Sequence, residues 1–203
     1  MKIEKLDRDN IKEYVRDLGM DITYNDEIDI IDTETFGVKE DDKFLFGFTS
    51  LDEDLIGVIF GKKKISDDVL KMCVNFLNNS LSFSGHLVIQ ISDKKIMDIM
   101  DNLYRVKLMF VNKKMGDYDS CDGNGKERFA DIDMRSIKYY YKNNMIECNL
   151  YSQNIQDEDI ISKLDEFFMG CGVNGVEFCI LTDSYDYMKS LGYECISKRY
   201  VIE

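Results

Sequence analysis

Apolar residues recur along this chain at two spacings, and segments of the two kinds alternate. KFLFGFTS and LIGVIFGKK read as strands on either side of the turn Asp52-Glu53-Asp54. From about Ser66, the residues Leu70, Cys73, Val74 and Leu77 repeat at the three- and four-residue steps of one helix face. HLVIQIS follows as a strand, KKIMDIMDNLY as a short helix and VKLMFV as a last strand. The order then returns. IKYYY and MIECNLY flank Asn143-Asn144 as the arms of a hairpin would. Ile160, Ile161, Leu164, Phe167 and Phe168 form a helical stripe, and VEFCILT, SYDYMKSLG and ECISKRYVI supply strand, short helix and strand.

The two series align at an offset of ninety residues, pairing Ile65 with Ile155, Asp67 with Asp157, Gly85 with Gly175 and Asp93 with Asp183. Past the short helix the offset is eighty-eight, pairing Met100 with Met188 and Leu103 with Leu191. The matched order of five elements carries more weight than these identities, because α/β chains share pattern by physics. The expectation is an α/β (α+β) protein with two mixed-sheet halves, each hairpin–helix–strand–helix–strand. Their bounds are 1–115 and 135–203, with a polar, glycine-containing linker at 116–134. One domain with a large insertion is the alternative. KIEKLD and NIKEYVRDLG add an opening strand and helix, with Asp9 or Asn10 as cap and Gly19 as stop.

Composition narrows the class. Hydrophobic residues make up 44% and aromatics 12%, enough for a packed core. The opening is charged and no apolar run approaches the ~20 residues of a membrane span. A cytoplasmic protein is therefore expected, with no membrane partner. The six cysteines form no CxxC pair and interrupt apolar patterns; they read as free thiols rather than a disulfide framework. A net charge of −13 repels the phosphate backbone, so no nucleic-acid partner is expected. Nine acids and one lysine lie between Asp21 and Asp42. They form either a solvated loop or an acidic wall beside a site for a cationic amine. DYDSCDGNG falls short of a calcium loop because Cys121 stands among the required oxygen ligands. With His86 the only histidine, zinc and His-based triads are poorly supported, and no metal is expected.

The segment from Met145 to Glu203 resembles the second half of a GNAT acetyltransferase domain, and IEKLDRDNIKEYV resembles the first strand and helix of such domains. Leu191-Gly192-Tyr193-Glu194 stands where that family has Leu-Gly-Phe before its final strands, with Gly192 as a left-handed helix stop. The resemblance implies a helix whose first turn holds the pyrophosphate of acetyl-CoA, on glycines that let the backbone approach. Aligned on Leu164, the implied cofactor positions run through Gln156, Asp157, Asp159 and Ile160. Gln156 matches the pattern. Asp159 and Ile161 fall where glycines belong, and Val69 and Lys71 do so in the first series. A pyrophosphate would meet three carboxylates there, and a plain capped helix is the competing reading.

The family's thiolate-protonating tyrosine falls on Met188; Tyr187, one residue earlier, is the substitute candidate, with packing as its other role. Glu147 is the candidate general base, with Glu177 behind it; either would otherwise be a solvent-facing strand carboxylate. Lys62, Lys63 and Lys64 would hold phosphates or guard a strand edge. Two functions follow. One is an acyl-CoA-dependent N-acyltransferase acting on a cationic amine, as a small molecule or peptide. The other is a non-catalytic GNAT-like interaction or regulatory module that has lost acyl-CoA binding. The oligomeric state is open.

Overall fold

The computed structural model describes residues 1–21, 23–60, 65–81, 85–116 and 125–203. Lys62, Lys63, Lys64 and Cys121 lie outside the described residues. The chain divides into two compact units, Met1–Arg105 with Arg199–Glu203, and Val106–Lys198.

The first unit opens with β1 (Lys2–Lys5), α1 (Ile11–Leu18), α2 (Tyr24–Asp32) and β2 (Phe36–Glu40). It continues with β3 (Lys43–Asp52), β4 (Leu55–Phe60), α3 (Asp67–Ser80), β5 (Leu87–Ile91) and α4 (Lys94–Leu103). The strands run β1-β2-β3-β4-β5; only β4 and β5 are parallel. The α3 face is the expected one: Ser66 accepts from the Val69 N–H, and Leu70, Cys73, Val74 and Leu77 are buried.

One expectation fails here, for a local reason. The acidic stretch 21–42 holds α2 and β2 rather than a loop. Its helix is started by Thr23 and Asp26, which cap each other's backbone reciprocally. Asn10 is the N-cap of α1, as expected, and the turn before it is held by Asp7, whose Oδ1 accepts from the Asp9 and Asn10 N–H groups while Asn10 Oδ1 accepts from the Asp7 N–H. Asn10 makes no side-chain cap bond into the helix, and Gly19 stops it at φ 63° as expected. His86 is exposed and directly precedes β5.

The second unit contains β6 (Arg105–Lys114), β7 (Lys126–Ile132), β8 (Arg135–Lys142), β9 (Met145–Asn149) and α5 (Glu158–Met169). Then come β10 (Gly175–Leu181), a 3-10 turn, α6 (Tyr185–Ser190) and the start of β11 (Glu194–Ile202), whose residues from Arg199 on belong to the first unit. Its strands run β6-β10-β9-β8-β7, with β9 and β10 parallel and the other pairs antiparallel. Asn143 and Asn144, at φ 51° and 60°, make the tight turn of the β8–β9 hairpin. Gly192, at φ 90°, closes the turn after α6.

The expected division at 116–134 is corrected. Residues 126–132 are β7, paired along its length with β8, because Ala130 and Ile132 alternate inward while the polar residues face out. β6, read as the last strand of the first series, belongs with β10, and the chain's final residues belong to the first unit. Each unit is an α+β assembly on a mixed sheet.

Under α5, Ile160, Ile161, Leu164 and Phe168 join Ile146, Cys148, Val176, Phe178 and Ile180 in one core. Phe167 departs from the expected stripe: it is 42% exposed, and Asp165 is buried in its stead. No helix of the described residues is long and apolar enough to cross a membrane.

Candidate functional site

Side chains on neighbouring strands alternate between the two faces of a sheet, and this sorts β9 and β10 into two functions. Ile146, Cys148, Val176, Phe178 and Ile180 enter the core. Glu147, Asn149, Glu177 and Cys179 take the opposite face, where the parallel register sets Glu147 against Glu177 and Asn149 against Cys179. β8 adds Tyr140 beside Glu147, and β6 adds Phe110 beside Cys179 and Asn112 beside Glu177. Phe110, Tyr140, Glu147, Cys148, Asn149, Glu177 and Cys179 line a cavity of about 180 Å³.

The two carboxylates differ in surroundings. Burial pushes the Glu177 carboxyl above the usual range, the Glu147 charge pushes it further, and Lys142 opposes both. Glu147 is half-exposed and has Lys142 Nζ at 3.6 Å from its Oε1. A half-buried acid with a raised pKa beside an exposed one is suited to pair with a cation or to take up a proton. Tyr140 forms part of the rim, its hydroxyl 3.3 Å from Glu127 Oε2. Two aromatic side chains beside two carboxylates suit an alkylammonium head group.

The other candidates gather elsewhere in the same unit, at the start of α5. Asp157 is the N-cap, and its Oδ1 accepts from the Asp159 N–H at 3.0 Å. Asp159 is ion-paired with Lys163 at 2.7 Å, and Lys163 also reaches Asp133 at 2.6 Å. Gln156 is exposed, and Ile160 is 4% exposed within the core. The Tyr187 hydroxyl donates to the Glu158 carbonyl at 2.9 Å, which ties α6 to this turn. Tyr187 does not line the carboxylate cavity.

A pyrophosphate needs free N–H groups, close backbone approach and no competing negative charge. This turn carries no glycine, one of its N–H groups already has a carboxylate acceptor, and Glu158 and Asp159 add acids in the same turn. The residues at α5 do not fit the phosphates of acyl-CoA.

Behind α5 lies a polar knot that periodicity did not reveal. Lys113 Nζ lies 3.0 and 3.2 Å from the two carboxylate oxygens of Asp165, and the Tyr193 hydroxyl donates to Asp165 Oδ1 at 2.7 Å. A single Asp beside Leu164 reads as a helix-surface residue, so only the partners on β6 and after α6 disclose its role. Tyr140 and Phe110 were equally hidden, since IKYYY and VKLMFV do not say which face meets a cavity.

Among the described residues no group of three or more His, Cys, Asp or Glu side chains is placed to hold a metal ion. Cys73, Cys148, Cys171, Cys179 and Cys195 are free thiols. Burial pushes the Cys73 and Cys148 thiols up to about 12, so neither offers a thiolate nucleophile at neutral pH.

No protein-family model and no curated protein matches the chain. Its path is similar to that of several solved acetyltransferase structures. A candidate acetyltransferase from Thermoplasma acidophilum aligns at TM-score 0.48 and 11% identity, covering 99% of this chain and 98% of that one. A second candidate, from Pyrococcus horikoshii, aligns at TM-score 0.46 and 8% identity, covering 100% and 89%. A GCN5-related N-acetyltransferase from Sphaerobacter thermophilus aligns at TM-score 0.46 and 7% identity, covering 98% and 93%. Likeness at this level assigns no chemistry to the chain.

Proposed function

We propose that this chain is a GNAT-like module that recognises a small cationic amine in the Glu147–Glu177 cavity and does not hold acyl-CoA at α5. The observation that carries the reading is the pair of carboxylates set in register on one sheet face. Their charge favours a cation, and Phe110 and Tyr140 give its methylenes an apolar surface. The resemblance of Met145–Glu203 to the GNAT pattern supports the architecture, and the acid-rich start of α5 speaks against the cofactor. Such a module would act by binding, as an interaction or regulatory element. A cytoplasmic setting accords with the free thiols.

Acyl-CoA-dependent N-acyl transfer to that amine is the second reading, favoured by the raised Glu177. A bound ammonium must lose a proton before its nitrogen can attack, and a carboxylate of raised pKa beside it is the group to take that proton. Thermal-shift titration with a series of alkyl mono- and diamines, with and without acetyl-CoA, separates the readings. Stabilisation by amine alone, abolished in Glu177→Gln with Glu147→Gln, is the expected outcome. Saturable acetyl-CoA binding with amine-dependent release of free thiol would establish the enzyme instead. No response to any amine would end both.

A further inference from the structure

The first unit has a cleft of its own between the start of α1 and the face of α2. Its volume is about 190 Å³, and it is lined by Arg8, Ile11, Lys12, Glu27, Ile28 and Ile31. The two cations stand on the α1 side, at Arg8 and Lys12. The acid stands on the α2 side, at Glu27, and three isoleucines supply the apolar surface between. Ile11 is 2% exposed, whereas Ile28 is 37% exposed on a helix whose Ile30 and Ile31 pack against the core.

The cleft brings charges of both signs to one apolar space. Nearby on β1, α1 and β2 several cations pair with carboxylates: Lys5 with Glu34, Arg16 with Glu13 and Asp17, and Lys39 with Glu4 and Glu13. Arg8, Lys12 and Glu27 line one cleft, carry opposite charges and form no ion pair with each other or with any other described residue. Opposite charges at the rim of a common space that stay out of contact leave a gap that a ligand bearing both charges can bridge.

The geometry points to a binding site for a zwitterionic α-amino acid with a branched aliphatic side chain. Its carboxylate meets Arg8 and Lys12, its ammonium meets Glu27, and its side chain lies on Ile11, Ile28 and Ile31. A simple carboxylate would leave Glu27 facing an apolar tail or a like charge. A simple amine would meet two cations. Only a ligand carrying both charges answers both walls of the cleft. A cleft of about 190 Å³ has room for one amino acid. Because these residues belong to the other unit, the assignment is independent of the amine cavity on β9 and β10.

The test uses the full chain and three ligands: L-leucine, 4-methylpentanoate, which lacks the ammonium, and 3-methylbutylamine, which lacks the carboxylate. Titration calorimetry is read beside amide chemical shifts. L-leucine is expected to bind with shifts confined to α1, α2 and their junction. Each single-charge analogue is expected to bind at least about tenfold more weakly, a change of ~1.4 kcal/mol. Lys12→Gln and Glu27→Gln, both at the protein surface, are expected to weaken L-leucine by a similar factor and to leave the melting temperature in place. Equal binding of 4-methylpentanoate or of the amine would overturn the assignment. So would L-leucine binding that ignores both substitutions, or no heat and no shifts at millimolar L-leucine.

Discussion

Glu177 stands directly opposite Glu147 in the parallel ladder of β9 and β10, so two carboxylates share a sheet face where alternation would tolerate any polar residue. Burial and the Glu147 charge both raise the Glu177 pKa. The folded protein therefore holds a proton on Glu177 in a pH window where the unfolded chain has released it. Stability from this group is fully present below the ordinary carboxylate pKa and is lost as pH rises through the folded value. Glu177→Gln is expected to flatten the decline in melting temperature over that window and to stabilise the protein at neutral pH. An unchanged slope between pH 4 and 8 would show that Glu177 titrates normally.

The start of α5 makes a separate statement about acetyl-CoA. Two unit charges ~4 Å apart interact by roughly 4 kcal/mol at the effective dielectric of a protein surface. Against a micromolar ligand's ~8 kcal/mol, that repulsion removes about half the binding free energy, a loss of roughly a thousandfold in affinity. The native protein is expected to show no thermal shift with acetyl-CoA. The variant Asp157→Asn with Asp159→Asn keeps a capping oxygen and removes two charges; any shift is expected there first. A ligand at 100 times its Kd stabilises by ~2.7 kcal/mol, so a native protein that binds would be seen plainly.

Asp165 joins three segments that are distant in sequence, and its removal strands a cation. Lys113 keeps only a fifth of its side-chain exposure beside Asp165. Asp165→Ala is expected to cost ~3 kcal/mol or more, because breaking a buried pair leaves an uncompensated charge. Tyr193→Phe removes one hydrogen bond to a charged group and is expected to cost ~1.5–3 kcal/mol. The double variant should cost less than the sum, since both changes act on one network. Strict additivity in chemical denaturation would show that the two residues are not coupled.

Much of the fold could be read from apolar spacing, and the core residues of α5 show where such reading stops. Leu164 is fully buried, and Leu164→Ala is expected to cost ~2–5 kcal/mol. Phe167 satisfies the same spacing but is 42% exposed, at the edge of the stripe beside Tyr139. Phe167→Ala is expected to cost less than ~1.5 kcal/mol; a loss equal to that of Leu164→Ala would contradict the partition. Periodicity fixes a helix face only to within one residue's rotation, which is why Asp165 was missed on the other side. α2 and β2 escaped because acidic residues mask a short apolar pattern. β7 escaped because only two of its residues face inward. Of the site, Glu147 and Glu177 were visible as strand carboxylates, but their opposition depends on register, which strand sequences alone leave open.

The end of the chain provides the final test, because it belongs to the first unit although it follows the second in sequence. Tyr200 is wholly buried, and its hydroxyl lies 2.8 Å from Asp101 Oδ1 and 3.1 Å from the Met97 carbonyl, both on α4. Arg199 Nε donates to Gln90 Oε1 on β5 at 3.0 Å, and Ile202 is 3% exposed. Burying two large apolar side chains contributes roughly 1.5–3 kcal/mol each. Their loss alone approaches the lower end of the ~5–15 kcal/mol that holds a typical domain together. A chain ending at Lys198 is therefore expected to lose amide protection in α4 and β5 first, while β8, β9 and α5 keep theirs. Tyr200→Phe should reproduce a fraction of that loss, since the ring stays and only the hydroxyl contacts go. If the shortened chain melts like the full one, or loses protection uniformly, the last five residues do not complete the first unit, and the two series of elements close independently.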